Sequence, residues 1–426
     1  MTTGALARNR LPLIALFTAN GISMVGNTFA ALAIPWFVLQ TTGSASKTGI
    51  TGFFTILPVV LAGFLGGALV DRLGYKRSSI LADVASCIPV ALIPLLHFTI
   101  GLEFWQLMVL VFLGGLLDSP GTTAREALIP DLAHLARMPL ERATSIGQMI
   151  ERGSRLVGAP LAGFLVAALG TANVLWLDAA SFLVSAIIVA AAVRLGRTSE
   201  AHPERRRYSD ELVEGFKFIR HERLIFTLIL IAMTLNFFDA AMGGVILPVY
   251  VKQVFDSPMV FGLLTAAFGG GALLGALLFG AVGHRLPRRL TFLASFILVS
   301  LPFMTFPAFL PLPVLLLAMT VSGIGAGPLN AIIGTILFER VPSDMRGRVL
   351  GMLTAAAWMT MPLGMLVGGA LTEELGVRTL LIAIAAVYIT ATVSLIFIPI
   401  LRDMNRGGRA AGTAAASQAG PAVEAR

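Results

Sequence analysis

Apolar residues come in long runs, separated by short segments that hold most of the charge. The runs cover 11–40, 49–70, 78–98, 104–124, 143–169, 173–193, 224–251, 259–283, 290–309, 313–338, 348–372 and 378–400. A helix needs about 20 residues to cross a hydrocarbon core, and every run reaches that length. A backbone in lipid must satisfy its own hydrogen bonds, so each run predicts a helix. The pattern predicts an all-α integral membrane protein with twelve transmembrane helices in two pseudo-symmetric six-helix bundles. The expected organisation is an N-terminal bundle over 1–193, a cytoplasmic linker over 194–223, a C-terminal bundle over 224–400 and a disordered cytoplasmic tail over 401–426.

The two halves repeat each other. Pro35-Trp36-Phe37-Val38-Leu39-Gln40, Gly49, Gly67 and Asp71-Arg72-Leu73 recur as Pro248-Val249-Tyr250-Val251-Lys252-Gln253, Gly262, Gly280 and His284-Arg285-Leu286, at an offset of 213. Arg142, Gly158, Gly163, Leu165, Leu169 and Gly170 recur as Arg348, Gly364, Gly369, Leu371, Leu375 and Gly376, at an offset of 206. Parallel repeats around a midplane site are a transporter architecture.

Composition agrees, with 56% hydrophobic residues, 13% charged residues and a mean hydropathy of +0.86. Soluble domains carry about 25% charged residues. Of the 31 Lys and Arg, 26 fall in one alternate set of segments, and only Lys47, Lys252 and Arg378 fall in the opposite set. The positive-inside rule then puts both termini in the cytoplasm of a cell whose plasma membrane the chain crosses repeatedly. This bias accounts for the net charge of +8. The charge is spread over short turns, so no basic face for nucleic acid is expected. The first run is too long for a signal-peptide core and reads as an uncleaved helix. Cys87 is the one cysteine, so no internal disulfide or cysteine zinc site is expected. A P-loop is absent, and the five His lack metal-ligand spacing, so neither a metal nor another cofactor is expected. In the linker, Leu212, Phe216 and Ile219 form the apolar stripe of an amphipathic helix.

The turn after the second run reads Gly67-Ala68-Leu69-Val70-Asp71-Arg72-Leu73-Gly74-Tyr75-Lys76-Arg77. It resembles the glycine-x-x-x-Asp-Arg-x-Gly-Arg-Lys signature of the major facilitator superfamily. The resemblance implies a latch of Gly67, Asp71, Arg72, Gly74, Lys76 and Arg77 that holds the cytoplasmic side closed in the outward-facing state. Tyr75 departs from the basic residue of the signature, and His284 replaces Asp71 in the second copy. Ile34-Pro35-Trp36-Phe37-Val38-Leu39, Leu81-Ala82-Asp83, Thr123 to Pro130, Val341-Pro342, Arg346-Gly347-Arg348-Val349 and Pro362-Leu363-Gly364 carry a wider likeness over 11–400. There the chain resembles the drug-export branch, in particular the Tap-type multidrug efflux pumps of actinobacteria, and more distantly macrolide and enterobactin exporters. The implied function is proton-coupled efflux of amphipathic drugs by a monomer, without enzymatic activity. Export of one metabolite, such as a siderophore or lipid, is the alternative. A membrane sensor or enzyme would need a catalytic constellation or an added soluble domain, and neither is found.

Ionisable groups inside membrane helices are costly and mark function. Asp239 lies midway along the seventh run with Asn236 three residues before it, and is the first choice for a proton-coupling acid. Gln148, Glu151 and Arg155 share one helical face, where Glu151 and Arg155 form either a buried structural pair or a coupling site. Asp178 is a further candidate in the sixth run, as coupling group or helix anchor. Asp83 and Asp118 are expected to meet the basic turns. Asn27 stands where the resemblance implies an acid, and asparagine cannot carry a proton. Gly153, Gly158, Pro160 and Gly163 form a packing face with a kink in the fifth helix, similar to the glycine-proline run of proton-coupled exporters. Phe29, Trp36, Phe237, Phe238 and Trp358 are candidate cavity walls.

Overall fold

The computed structural model describes residues 10–193, 217–342 and 345–405, apart from the side chains of 63–69, 71, 72, 347, 348, 402 and 405. All regular structure among the described residues is helical. The helices are α1 Leu11–Thr42, α2 Ala45–Leu73, α3 Tyr75–Thr99, α4 Phe104–Leu135, α5 Leu140–Leu169 and α6 Thr171–Ala192. They continue with α7 Arg223–Val254, α8 Pro258–Val282, α9 Arg288–Ala308, α10 Leu312–Arg340, α11 Arg346–Leu375 and α12 Val377–Phe397. Each expected run is recovered. Eleven are long and apolar enough to cross a membrane; the exception is α5, which carries Glu141, Arg142, Glu151, Arg152 and Arg155 in its first half.

Two bounds differ from the sequence pattern. The fourth helix continues past residue 124 to Leu135, through Pro120 and Pro130. Arg125 is therefore not a turn charge but lies inside a helix. A π turn at Met242–Ile246 interrupts α7 three residues after Asp239. The repeat also shows in the turns. Gly170 and Gly376, equivalent at the offset of 206, end α5 and α11 at φ of +85° and +77°. A side chain at either position would be strained, so glycine sets both turns.

Packing divides the chain into two compact units. Among the described residues, the first holds 10–193, 235–269 and 358–380, and the second holds 217–234, 270–342, 345–357 and 381–405. This division does not follow the sequence halves, because parts of α7, α8 and α11 pack closely with α1, α2 and α5. In the second unit Arg288 of α9 makes a two-pronged ion pair with Glu339 of α10, at 2.6 and 2.7 Å. Tyr388 of α12 stacks on Phe303 at 4.8 Å. Ile219 is buried with Ile225, Val341, Val349 and Leu353. The linker stripe residues Leu212 and Phe216 lie outside the described residues, as does the tail from 406.

Candidate substrate and coupling site

The first unit is sealed at the end that carries Lys47, Lys252 and Arg378. The seal is built from the repeat. Gly49 of α2 meets Gly369 of α11; a Cβ on Gly49 would stand 2.5 Å from the Met365 carbonyl oxygen and 2.8 Å from Gly369 Cα. The partner contact joins Gly262 of α8 to Gly163 of α5; a Cβ on Gly163 would stand 2.7 Å from the Pro258 carbonyl oxygen and 3.2 Å from Gly262 Cα. Gly49 and Gly262 are equivalent at the offset of 213, and Gly163 and Gly369 at 206. Both contacts are backbone against backbone, which only residues without a Cβ permit.

Other groups reinforce the same end. The Glu373 carboxylate accepts from the Ala45 and Ser46 N–H groups at 2.6 and 3.1 Å and from the Ser44 hydroxyl at 3.2 Å. It thereby satisfies the open donors and the positive dipole end of α2. The repeat copy has Pro258, which has no N–H, where α2 has Ala45, and Ala167 where α11 has Glu373. The cap exists on one side only. Trp36 stacks on Phe261 at 6.3 Å, with the Lys252 ammonium 5.5 Å over its ring. Lys252 also pairs with Asp256.

The other half of α5 is different. Glu151 and Arg155 pair at 3.0 Å, but their side chains are 45% and 73% exposed. The pair is therefore not the buried one the sequence suggests. Gln148 is exposed beside it, and Gly153 faces open space. Asp239 lies on a stripe of α7 that is open to the surface, with Gly243. The opposite face of α7 is closed, since a Cβ on Gly368 would stand 2.8 Å from the Ala241 Cβ. An apolar groove of about 540 Å³ lies between α1 and the first half of α5, lined by Leu13, Phe17, Gly21, Ile22, Ile146 and Ile150 among others, with Arg10 at its edge. Its volume suits a drug-sized molecule. Sequence patterning gave no sign of it, because its lining residues read as ordinary helix packing.

The cavity-wall candidates separate. Trp36 is fully buried and Phe29 nearly so, because both pack in the helix interior rather than line a space. Phe237 and Phe238 are half-buried and meet edge to face at 5.3 Å, and Trp358 is exposed. Asn236 is half-buried. In α5, a Cβ on Gly158 would stand 3.0 Å from the Thr28 side chain, so Gly158 and Gly163 are packing positions and Gly153 is not. Pro160 sits inside a helix that remains continuous. At the signature turn, Gly74 has φ +80° between α2 and α3, Lys76 Nζ donates to the Ala190 carbonyl at 2.9 Å, and Arg77 is exposed. The Asp71 and Arg72 side chains and the surroundings of Gly67 lie outside what the structure describes.

A buried charge network that the sequence reading did not foresee joins α1, α3, α4 and α6. Arg125 is 2% exposed and donates to Asp83 Oδ1 at 2.6 Å, to Asn20 Oδ1 at 3.0 Å and to the Thr122 hydroxyl at 3.3 Å. Ser185 donates to Asp83 Oδ2 at 2.7 Å. Asn27 donates to Asp118 Oδ2 at 3.0 Å, so this position of α1 holds an acid in place instead of supplying one. Asp83 and Asp118 thus meet an intramembrane arginine, not the basic turns. Asp178 is fully buried close to Gly26 of α1. Asp118 and Arg125 share one face of α4 at i and i+7, but Asp83 reaches them from α3, a convergence that no local spacing reveals.

Twelve helices among the described residues, eleven of them long and apolar enough to cross a membrane, with two internal repeats and repeat-related contacts sealing one end, define a secondary transporter of the major facilitator fold. A mutant form of the nucleoside transporter NupG superposes with a TM-score of 0.77 at 13% identity over 90% of this chain and 98% of its own. A D-xylose–proton symporter superposes with a TM-score of 0.65 at 17% identity over 91% and 98%. The chain belongs to the transmembrane secretion effector family, whose model matches residues 5–417. It is 30% identical to the multidrug efflux pump Tap of Mycobacterium tuberculosis over 93% of this chain and 96% of that protein. It is 24% identical to macrolide efflux protein A of Streptococcus pyogenes over 89% and 95%. These relatives are transporters, not enzymes.

Proposed function

We propose that this protein exports amphipathic drugs across a bacterial plasma membrane by proton-driven alternating access, working as a monomer with both termini in the cytoplasm. The observation that carries the reading is the asymmetry within the first unit. One end is locked by two repeat-related glycine contacts and the Glu373 cap, while α5 and α7 present open polar stripes away from it. In the proposed orientation the locked end faces outward, so the arrangement is one frame of an alternating cycle with access from the cytoplasm. Charged side chains do not face hydrocarbon, so the stripes of Gln148, Glu151, Arg155 and Asp239 line a wet path. The apolar groove beside Ile150 takes the hydrophobic part of a substrate, and the acids attract a cationic part. Asp239 is the acid for which proton and substrate compete.

The likeness to Tap and to macrolide efflux protein A supports drugs as the cargo. The test is flux of ethidium, an amphipathic cation, in proteoliposomes with an imposed pH gradient. Uphill movement that collapses with the gradient is the expected result, and gradient-independent leakage refutes the coupling. A resistance profile confined to a single compound would favour a dedicated metabolite exporter. A reporter fused after Arg406 should be active in the cytoplasm and one near Lys252 outside; the reverse overturns the orientation.

A further inference from the structure

We propose that Asp178 is a second, occluded proton-binding site, held between α1, α3, α4 and α6 and separate from the exposed Asp239. Four observations combine. Asp178 has no solvent exposure, and neither of its carboxylate oxygens has a hydrogen-bond partner. The nearby Ser181 hydroxyl donates instead to the Asp178 backbone carbonyl, at 2.7 Å. An ionised carboxylate left this way in a membrane interior is among the costliest groups a protein can hold. Second, the neighbourhood is already over-supplied with acid. Among the described residues it holds Asp83, Asp118 and Asp178 against the single cation Arg125, with the Cys87 thiol as the further titratable group near Asp178.

Third, the site is closed toward α1. A Cβ on Gly26 would collide with the Ser181 hydroxyl and stand 2.6 Å from Asp178 Oδ1, so the site is closed at van der Waals contact. A metal cation needs several oxygen ligands at roughly 2.0–2.6 Å, and among the described residues no group of acids, His or Cys is placed to supply them. Fourth, a second, partly exposed acid is at hand to exchange the proton. Asp118 is 18% exposed and interacts electrostatically with Asp178. Its Oδ1 lies 3.7 Å from Arg125 Nη2 and has no hydrogen bond of its own, so it can relay a proton between solvent and the occluded acid.

The step is simple proton transfer. The carboxylate takes one proton from water by way of Asp118 and becomes a carboxylic acid, and the same bond breaks when the proton leaves. Loss of the proton sets three carboxylates against one guanidinium. Arg125 is then drawn from Asp83 toward Asp178, which pulls α4 against α6. The proposal deepens the proton-driven reading above, on which its transport consequence rests.

The experiment uses the full chain in liposomes. Infrared difference spectra between acid and alkaline buffers should contain a carboxylic-acid carbonyl band that Asp178→Asn removes. Asp118→Asn should keep the band but move the pH at which it appears. In ethidium transport, Asp178→Asn should lose gradient-driven movement while gradient-free ethidium exchange persists, because asparagine mimics the protonated acid. Superimposable infrared spectra for wild type and Asp178→Asn overturn the site, as does unchanged gradient-driven transport by the variant. If Asp178→Asn does not fold, a band unmoved by Asp118→Asn overturns it as well. Failure of the wild-type protein to respond to a gradient would instead refute the proton-driven reading, and the infrared result would still judge Asp178.

Discussion

Replacing Gly49 by alanine should unlock the sealed end. The new Cβ would stand 2.5 Å from the Met365 carbonyl oxygen and 2.8 Å from Gly369 Cα, against the 3.4 Å at which ordinary contact begins. Both obstacles are backbone, so no side chain can swing away and the two helices must part. Overpacking by such a group costs about 1–3 kcal/mol. The cost falls only on the state in which α2 and α11 touch, so the closed-to-open ratio should drop about 5- to 150-fold. Gly262→Ala should act alike through α5, because Gly262 meets Gly163 and the Ala159 carbonyl oxygen in the equivalent contact. The two contacts share no residue, so the double variant should be near additive. Gly153→Ala is the internal control, since nothing lies within 4 Å of its added Cβ. The assay is electron–electron distance measurement between spin labels on cysteines at Lys47 and Glu374, in a Cys87→Ser background. A longer distance population should appear for the first two variants and not for the control. Distributions identical to wild type would refute the claim that these glycines seal the end.

Glu373→Ala should also favour opening, by about 0.5–2 kcal/mol for a lost helix cap, and Glu373→Gln by less, about 0.3–1 kcal/mol for the lost charge; the same distance measurement reads both. Arg125→Ala should destabilise the fold by about 3–5 kcal/mol by stranding the buried Asp83, seen as a lower unfolding temperature in detergent. Arg125→Lys should rescue little, because one ammonium cannot reproduce a fork that serves Asn20, Asp83 and Thr122. Asp239→Asn should abolish uphill ethidium export while some substrate binding remains, and Glu151→Gln should do less; wild-type uphill export by Asp239→Asn would transfer the coupling role to Glu151.

Helix number, helix order and the repeat were legible in the sequence because they are local. An apolar run long enough to cross lipid has one backbone solution, and glycine spacing survives duplication. The repeat marked the four glycines that form the two contacts, as the equivalents Gly49 and Gly262 and the equivalents Gly163 and Gly369. Which glycine meets which is not local: the equivalents do not touch each other, and only packing of α2 on α11 and of α5 on α8 joins them. The same limit hid the Arg125 network. The apolar run of the fourth helix ends at 124, yet the helix continues to Leu135 and takes Arg125 into the interior. Trp36 left its expected place on a cavity wall for the same reason. A side chain's place on a helix follows from the sequence, but what it faces is decided by the helices that tertiary packing brings beside it.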